Sequence, residues 1–358
     1  MARERLQWID AARGFALALV ALFHCCLLLT MRDFPVSGAL VAANSVLDGF
    51  RMPTLLMISG ILAASIREWP WRDVWRRRAA PLLLFYVLWG AVALVMLAVV
   101  LRINPEWDLL RELGLLFVRP HVRVWYFLAL AVFMVLARAL RSVPSVVVIA
   151  AAVLINVASY AIWPHPAWAD NAQWWLYLGQ HWVFFVCAER GARAYRALAA
   201  RSTPLIAVCT SVVFAAVGVG FWRLGLLESI GSDRSAIPAL VVAVLGTVVA
   251  LTVFPVAGQA RALAWARAIG RNSLGIYAVH FWVIAAVVLV AAPVLADRGV
   301  TGLGVAVPVG VTAVGLGLSF ALTRALERWA PSPFLHPWWD ISERRTADGV
   351  KDAPARAQ

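Results

Sequence analysis

Asp10, Arg13 and His24 stand inside one apolar run, "IDAARGFALALVALFHCC" (9–26). An α-helix turns about 100° and rises about 1.5 Å per residue. Arg13 and His24 therefore point within about 20° of each other, about 16 Å apart along the axis. Asp10 lies one turn before Arg13, so the three make one polar stripe on a helix otherwise built of Ala, Leu, Val and Phe. A neutral imidazole can take a proton or attack a carbonyl carbon. A guanidinium grips phosphate or carboxylate through two parallel hydrogen bonds. The stripe thus offers anion binding at one end and base or nucleophile chemistry at the other. Taken singly, Asp10 is also a favourable charge at a helix N-terminus, and Arg13 can reach back to the headgroups. His24 is harder to explain that way, because an ionisable group deep in a span is costly and faces the bundle interior. Cys25, next to it, points to another face. It is read as a small membrane residue, since no neighbour in the sequence would make it a thiolate.

The elements that must position this stripe are membrane helices. Of the 358 residues, 63% are hydrophobic, with mean hydropathy +0.80, against about half in a soluble domain. About ten runs are near the length a bilayer requires. They lie at 9–30, 47–66, 80–101, 123–141, 144–162, 174–192, 203–222, 236–255, 273–293 and 302–325. The fold class is all-α, a polytopic transmembrane helix bundle. The net charge of +13 comes from 32 Lys and Arg against 19 Asp and Glu. These cations cluster between apolar runs, in "REWPWRDVWRRR" (67–78), "RALRS" (138–142), "ERGARAYRALAARS" (189–202) and "AGQARALAWARAIGR" (257–271). These are alternate loops, so the charge marks the cytoplasmic side rather than a nucleic-acid site, and both termini are cytoplasmic. Arg13 then sits near the cytoplasmic mouth and His24 deeper. The first helix is read as uncleaved, being too long for a signal-peptide core. Residues 1–330 read as one transmembrane domain. Residues 331–358 read as a cytoplasmic tail, disordered at its end. The four cysteines form no CxxC pair, and no metal site is expected. The outer segment 102–122 has the leucine spacing of a short interfacial helix. Trp163, Trp168, Trp174 and Trp175 suit an aromatic belt or a sugar-stacking surface.

The same residues resemble the integral-membrane acyltransferase family 3. Its first helix carries an Arg, ten intervening residues and a His, often with an Asp three before the Arg; Arg13, His24 and Asp10 match. Further segments follow in the family's order. "FRMPTLLMISGIL" (50–62) is similar to its second-helix motif, and "RRRAAPLL" (76–83) to the arginine run opening the third helix. "VWYFLAL" (124–130) is similar to its Trp-aromatic-Leu motif, and "SLGIYAVHFWV" (273–283) to a Tyr-x-x-His helix. Two departures stand out. Many relatives have a His just before the Trp motif, where this chain has Arg123, and often Phe-Phe before Ser-Gly, where it has "LLMISG".

The resemblance implies transfer of an acyl group, commonly acetyl, from cytoplasmic acyl-CoA to a hydroxyl of a carbohydrate or other cell-envelope or lipid-linked acceptor. It implies residence in the cytoplasmic (inner or plasma) membrane. His24 would act as base or acyl carrier. Arg13, with Arg76, Arg77 and Arg78, would hold the phosphates of the CoA. Ser59, Tyr277 and His280 would be candidates to stabilise the oxyanion, and Trp125 and Tyr126 would line the acyl path. Arg51 and Asp48, three apart, would pair and hold the second span against the first. The competing class is a transporter or flippase with an intramembrane His. Against it, acidic residues fall at span ends, and no inverted repeat is evident.

Overall fold

The computed structural model describes residues 7–100, 114–115, 124–162, 173–227, 235–297 and 304–329, and among these there is no strand. Short polar side chains mark several helix starts. Ser37 caps α2 (Gly38–Ala63), its hydroxyl accepting from the Leu40 N–H at 3.2 Å. Thr203 does the same for α9 (Pro204–Arg223), with Pro204 in the first turn, where a missing N–H costs nothing.

The chain runs α1 (Gln7–Thr30), α2, then a short helix α3 (Trp71–Val74), a π-helical turn (Trp75–Ala79) and α4 (Ala80–Val100). It continues through α5 (Trp125–Ala139), α6 (Ser145–Ile162), α7 (Gln173–Arg190), the short α8 (Ala192–Ala200), α9 and α10 (Ala236–Ala257). A second short helix, α11 (Ala264–Arg271), precedes α12 (Ser273–Asp297) and α13 (Ala306–Trp329). Among the described residues, eight helices are long and apolar enough to cross a membrane. The two remaining expected spans fall on α5, with 15 residues, and on α7. The second span opens at Gly38, well before the expected 47. Asp48 and Arg51 neutralise one another within α2, so those charges do not mark its end. The 102–122 segment (apart from 114–115), Trp163, Trp168 and the tail lie outside the described residues.

α1 is the centre of the bundle, packed by α2, α10, α11, α12 and α13. Its tightest crossing is with α11, where small residues let two backbones touch. A Cβ on Gly14 would overlap the Ala266 carbonyl, and one on Gly270 would overlap the carbonyl of Asp10. Close approach through glycine is the usual route to strong helix packing where lipid supplies no hydrophobic drive. α2 crosses α10 in the same way, Gly49 against Gly246.

The arginine-rich connectors gather at one end of the bundle. The Glu189 carboxylate, fully buried at the end of α7, lies 2.6 Å from Arg67 Nε and 3.3 Å from Arg190 Nε. Arg190 also donates to the Val143 and Leu140 carbonyls, and Arg138 to that of Arg67. One carboxylate thus ties together the connectors after α2, α5 and α7.

Candidate functional site

The polar stripe of α1 faces α12. Arg13, half-buried, lines a small cavity with Leu17, Leu55, Tyr126, Ser273, Leu274 and Tyr277. The cavity has about 10 Å³ of free volume, room for one water at most. Farther along the stripe, the His24 ring lies 5.4 Å from that of His280 and 5.2 Å, edge-on, from that of Phe281. The rings of Tyr126 and Tyr277 (5.1 Å), then Tyr277 and His280 (5.4 Å), fill the interval. A continuous track of polar-tipped aromatics therefore joins Arg13 to His24.

Tyr277 and His280 are three residues apart, which places both on the α12 face turned to α1. The His280 ring is 1% exposed. Its Nδ1 is 2.8 Å from the Tyr277 carbonyl. A carbonyl only accepts, so Nδ1 carries the hydrogen and the neutral ring has its lone pair on Nε2. That Nε2 is buried with no hydrogen-bond partner among the described residues.

Opposite, α2 supplies Ser59 and α5 supplies Tyr126. The Ser59 hydroxyl donates back to the Leu55 carbonyl at 2.8 Å and is 2.9 Å from the Tyr126 oxygen. With its hydrogen spent on Leu55, Ser59 accepts from Tyr126. In this arrangement neither hydroxyl has a hydrogen left for an oxyanion. Trp125 is turned away from the stripe, edge-on to Tyr177 at 4.7 Å and tilted against His181 at 5.3 Å.

A second polar cluster grips the turn of α1 that carries His24. The Arg51 guanidinium, 2% exposed, is 2.6 Å from Asp48 and donates to Asn44 at 3.0 Å. It also lies 4.6 Å from the centre of the Phe23 ring. Asn44 donates to Cys26 Sγ at 3.4 Å. Phe23 and Cys26 flank His24, so α2 fixes its approach from both sides. The expected Arg51–Asp48 pair is present. Asn44 carried no sequence signal, because one amide in an apolar span has no spacing to distinguish it. Cys25 is fully buried and directs its thiol to the Pro308 carbonyl of α13, 3.5 Å away and off the stripe.

The other expected residues sit farther out. Asp10 is buried in the first turn of α1, at the crossing with α11. Arg76 and Arg77 are exposed on the π-helical turn, with Arg77 Nε 3.4 Å from Asp73, while Arg78 stacks over Trp69 at 5.3 Å. Pro81 accounts for the widened turn, since it has no N–H to return and its ring would strike the carbonyl one α-turn back. A roomier apolar groove of about 640 Å³, lined by Phe15, Leu19, Leu22, Trp265, Val309 and Phe320 among others, lies on the face of α1 opposite His24.

The stripe, the motif segments and the bundle can be compared with known proteins. A family model described as an acyltransferase domain, acyltransferase family 3, matches residues 6–324, nearly the whole chain. The chain belongs to acyltransferase family 3. The match takes in α1 with its stripe, α2, α5 and α12, the four helices that build the site. This family-3 chain matches no curated protein and no solved structure in these comparisons.

Proposed function

We propose that this family-3 protein transfers an acyl group, commonly acetyl, from cytoplasmic acyl-CoA to a hydroxyl of a carbohydrate or other envelope acceptor, with His24 at the reacting centre. The observation that carries the reading is the continuous track from Arg13 to His24. A guanidinium at the arginine-rich end suits a phosphate-bearing donor. The half-buried imidazole beyond it suits attack on, or proton removal near, a thioester. Positive charge on alternate connectors supports a cytoplasmic position for Arg13, the side where acyl-CoA is found, and residence in the cytoplasmic membrane. Arg78 and its neighbours would extend the cationic mouth. Phosphate would have to draw Arg77 from Asp73 or bind beside that pair.

Tyr277 and Tyr126 are placed to orient the pantetheine arm. The cavity beside Arg13 is closed to about 10 Å³, so a donor would have to part α1 from α12 and α5 to enter. The test is turnover by the purified protein in lipid, supplied with radiolabelled acetyl-CoA and a crude envelope extract. CoA release and label in the extract are expected from wild type, with a loss of at least about 100-fold in His24→Ala. Equal turnover in wild type and His24→Ala, or none from any acyl-CoA with the fold intact, would remove the reading.

A further inference from the structure

Two imidazoles face one another across the α1–α12 interface, and a direct transfer of an acyl group to a hydroxyl needs only one. We infer that they divide the reaction: His24 carries the acyl group, and His280 Nε2 is the base that takes the acceptor's proton. The inference rests on the acyltransferase reading above and names a second catalytic residue for it.

The tautomer of His280 carries the argument. Its Nδ1–H is held by the Tyr277 carbonyl at 2.8 Å. Nε2 is therefore an acceptor in the neutral ring. It lies buried without a partner among the described residues, in a side chain 1% exposed. Leaving a buried acceptor unpartnered is unfavourable, and native structures retain few of them. A hydroxyl hydrogen would satisfy this one. The same tautomer excludes the neutral His280 ring as an oxyanion donor at Nε2, the role its motif position suggested. The fixed ring cannot turn to offer its other nitrogen without breaking the bond to Tyr277. His24, 5.4 Å away between centroids, is close enough for one acceptor hydroxyl to meet an acyl carbon on His24 and the lone pair of His280.

The steps balance. A ring nitrogen of His24 attacks the thioester carbonyl carbon; the C–N bond forms, the C–S bond breaks, and CoA leaves as thiolate. The acceptor oxygen then attacks the acyl carbon, the C–N bond breaks, and the hydroxyl proton passes to His280 Nε2. His24 returns to its neutral state, and the proton on His280 passes through solvent to the thiolate.

The test separates the two halves. Wild type, His24→Gln and His280→Asn are reconstituted in lipid, given radiolabelled acetyl-CoA with or without crude envelope extract, then rapidly quenched and denatured. Asn keeps an N–H near the Nδ1 position for the Tyr277 carbonyl and lacks Nε2, so packing is preserved; thermal unfolding of each variant checks this. Without extract, wild type and His280→Asn should both retain protein-bound label, released by hydroxylamine, and His24→Gln should not. With extract, transfer should fall at least about 100-fold in His280→Asn, while label on the protein persists. Transfer at the wild-type rate by His280→Asn, or failure of that variant to take up label that wild type takes up, overturns the division of roles. Label absent from wild type that nonetheless transfers overturns the acyl-His24 step and leaves the acyltransferase reading standing. Absence of any CoA release from wild type strikes at that reading instead.

Discussion

Arg13 and His24 have different neighbours, and these determine what each can do. Arg13 has its guanidinium in a cavity bounded by hydroxyl-bearing Tyr126, Tyr277 and Ser273, with no carboxylate among the lining residues. An arginine placed so is available to an incoming anion. Replacing it by alanine should weaken binding of CoA by about tenfold or more, the worth of one charge-assisted hydrogen bond, with lysine restoring part of it. Isothermal titration of CoA into the purified variants reads this directly, and unchanged affinity would remove Arg13 from donor binding. His24 instead is set by contacts on its own helix: Phe23 under the Arg51 guanidinium and Cys26 on the Asn44 amide. The stripe itself was legible from helical geometry. Asn44 was not, because a hydrogen-bond partner on another helix leaves no trace in local spacing; nor was the orientation of His280, because a ring turned back on its own helix at the Tyr277 carbonyl is one rotamer among several that the spacing allows.

Helix crossings decide whether the stripe meets its partners. α11 is only eight residues long, yet it packs closely on α1 through Gly14 and Gly270. A methyl at position 270 would sit inside van der Waals distance of the Asp10 carbonyl, carbon against backbone, with no flexible side chain to yield. Gly270→Ala should lower stability by about 1–3 kcal/mol and tilt the start of α1, so that turnover falls together with the thermal midpoint in detergent. Gly220→Ala, at a position with open space, is the control and should leave both unchanged. The sequence shows α11 as an arginine-bearing connector; that it is the tightest neighbour of the stripe follows from backbone contact alone.

At the scale of the molecule, charge and topology agree. Three of the arginine-rich connectors meet around Glu189, so one end of the bundle gathers their cations. Ten crossings, the number the sequence predicts, would place both chain ends on one side. A reporter fused after Gln358 should report cytoplasm, and one inserted between residues 163 and 172 should report the opposite side. A C-terminal signal from outside would break the ten-span count. On the proposed function, Arg13 would lie toward the cationic end and His24 about 16 Å farther along α1, between the two compartments that donor and acceptor would come from.

The sequence by itself determined the class, the approximate spans and the Arg13–His24 stripe. Each follows from a property that is periodic or compositional: overall hydropathy, hydropathy over a bilayer's thickness, and the angle an α-helix makes per residue. The motif segments also brought Tyr277 and His280 into view as a pair on one face. Only the tertiary structure decided that this face meets the stripe, that the Ser59 hydroxyl is spent on its own helix and that of Tyr126 on Ser59, and that Trp125 turns away. It also decided which His280 nitrogen bears the lone pair. These depend on which helices pack together and at what rotation, and close contacts between small residues on distant segments set both.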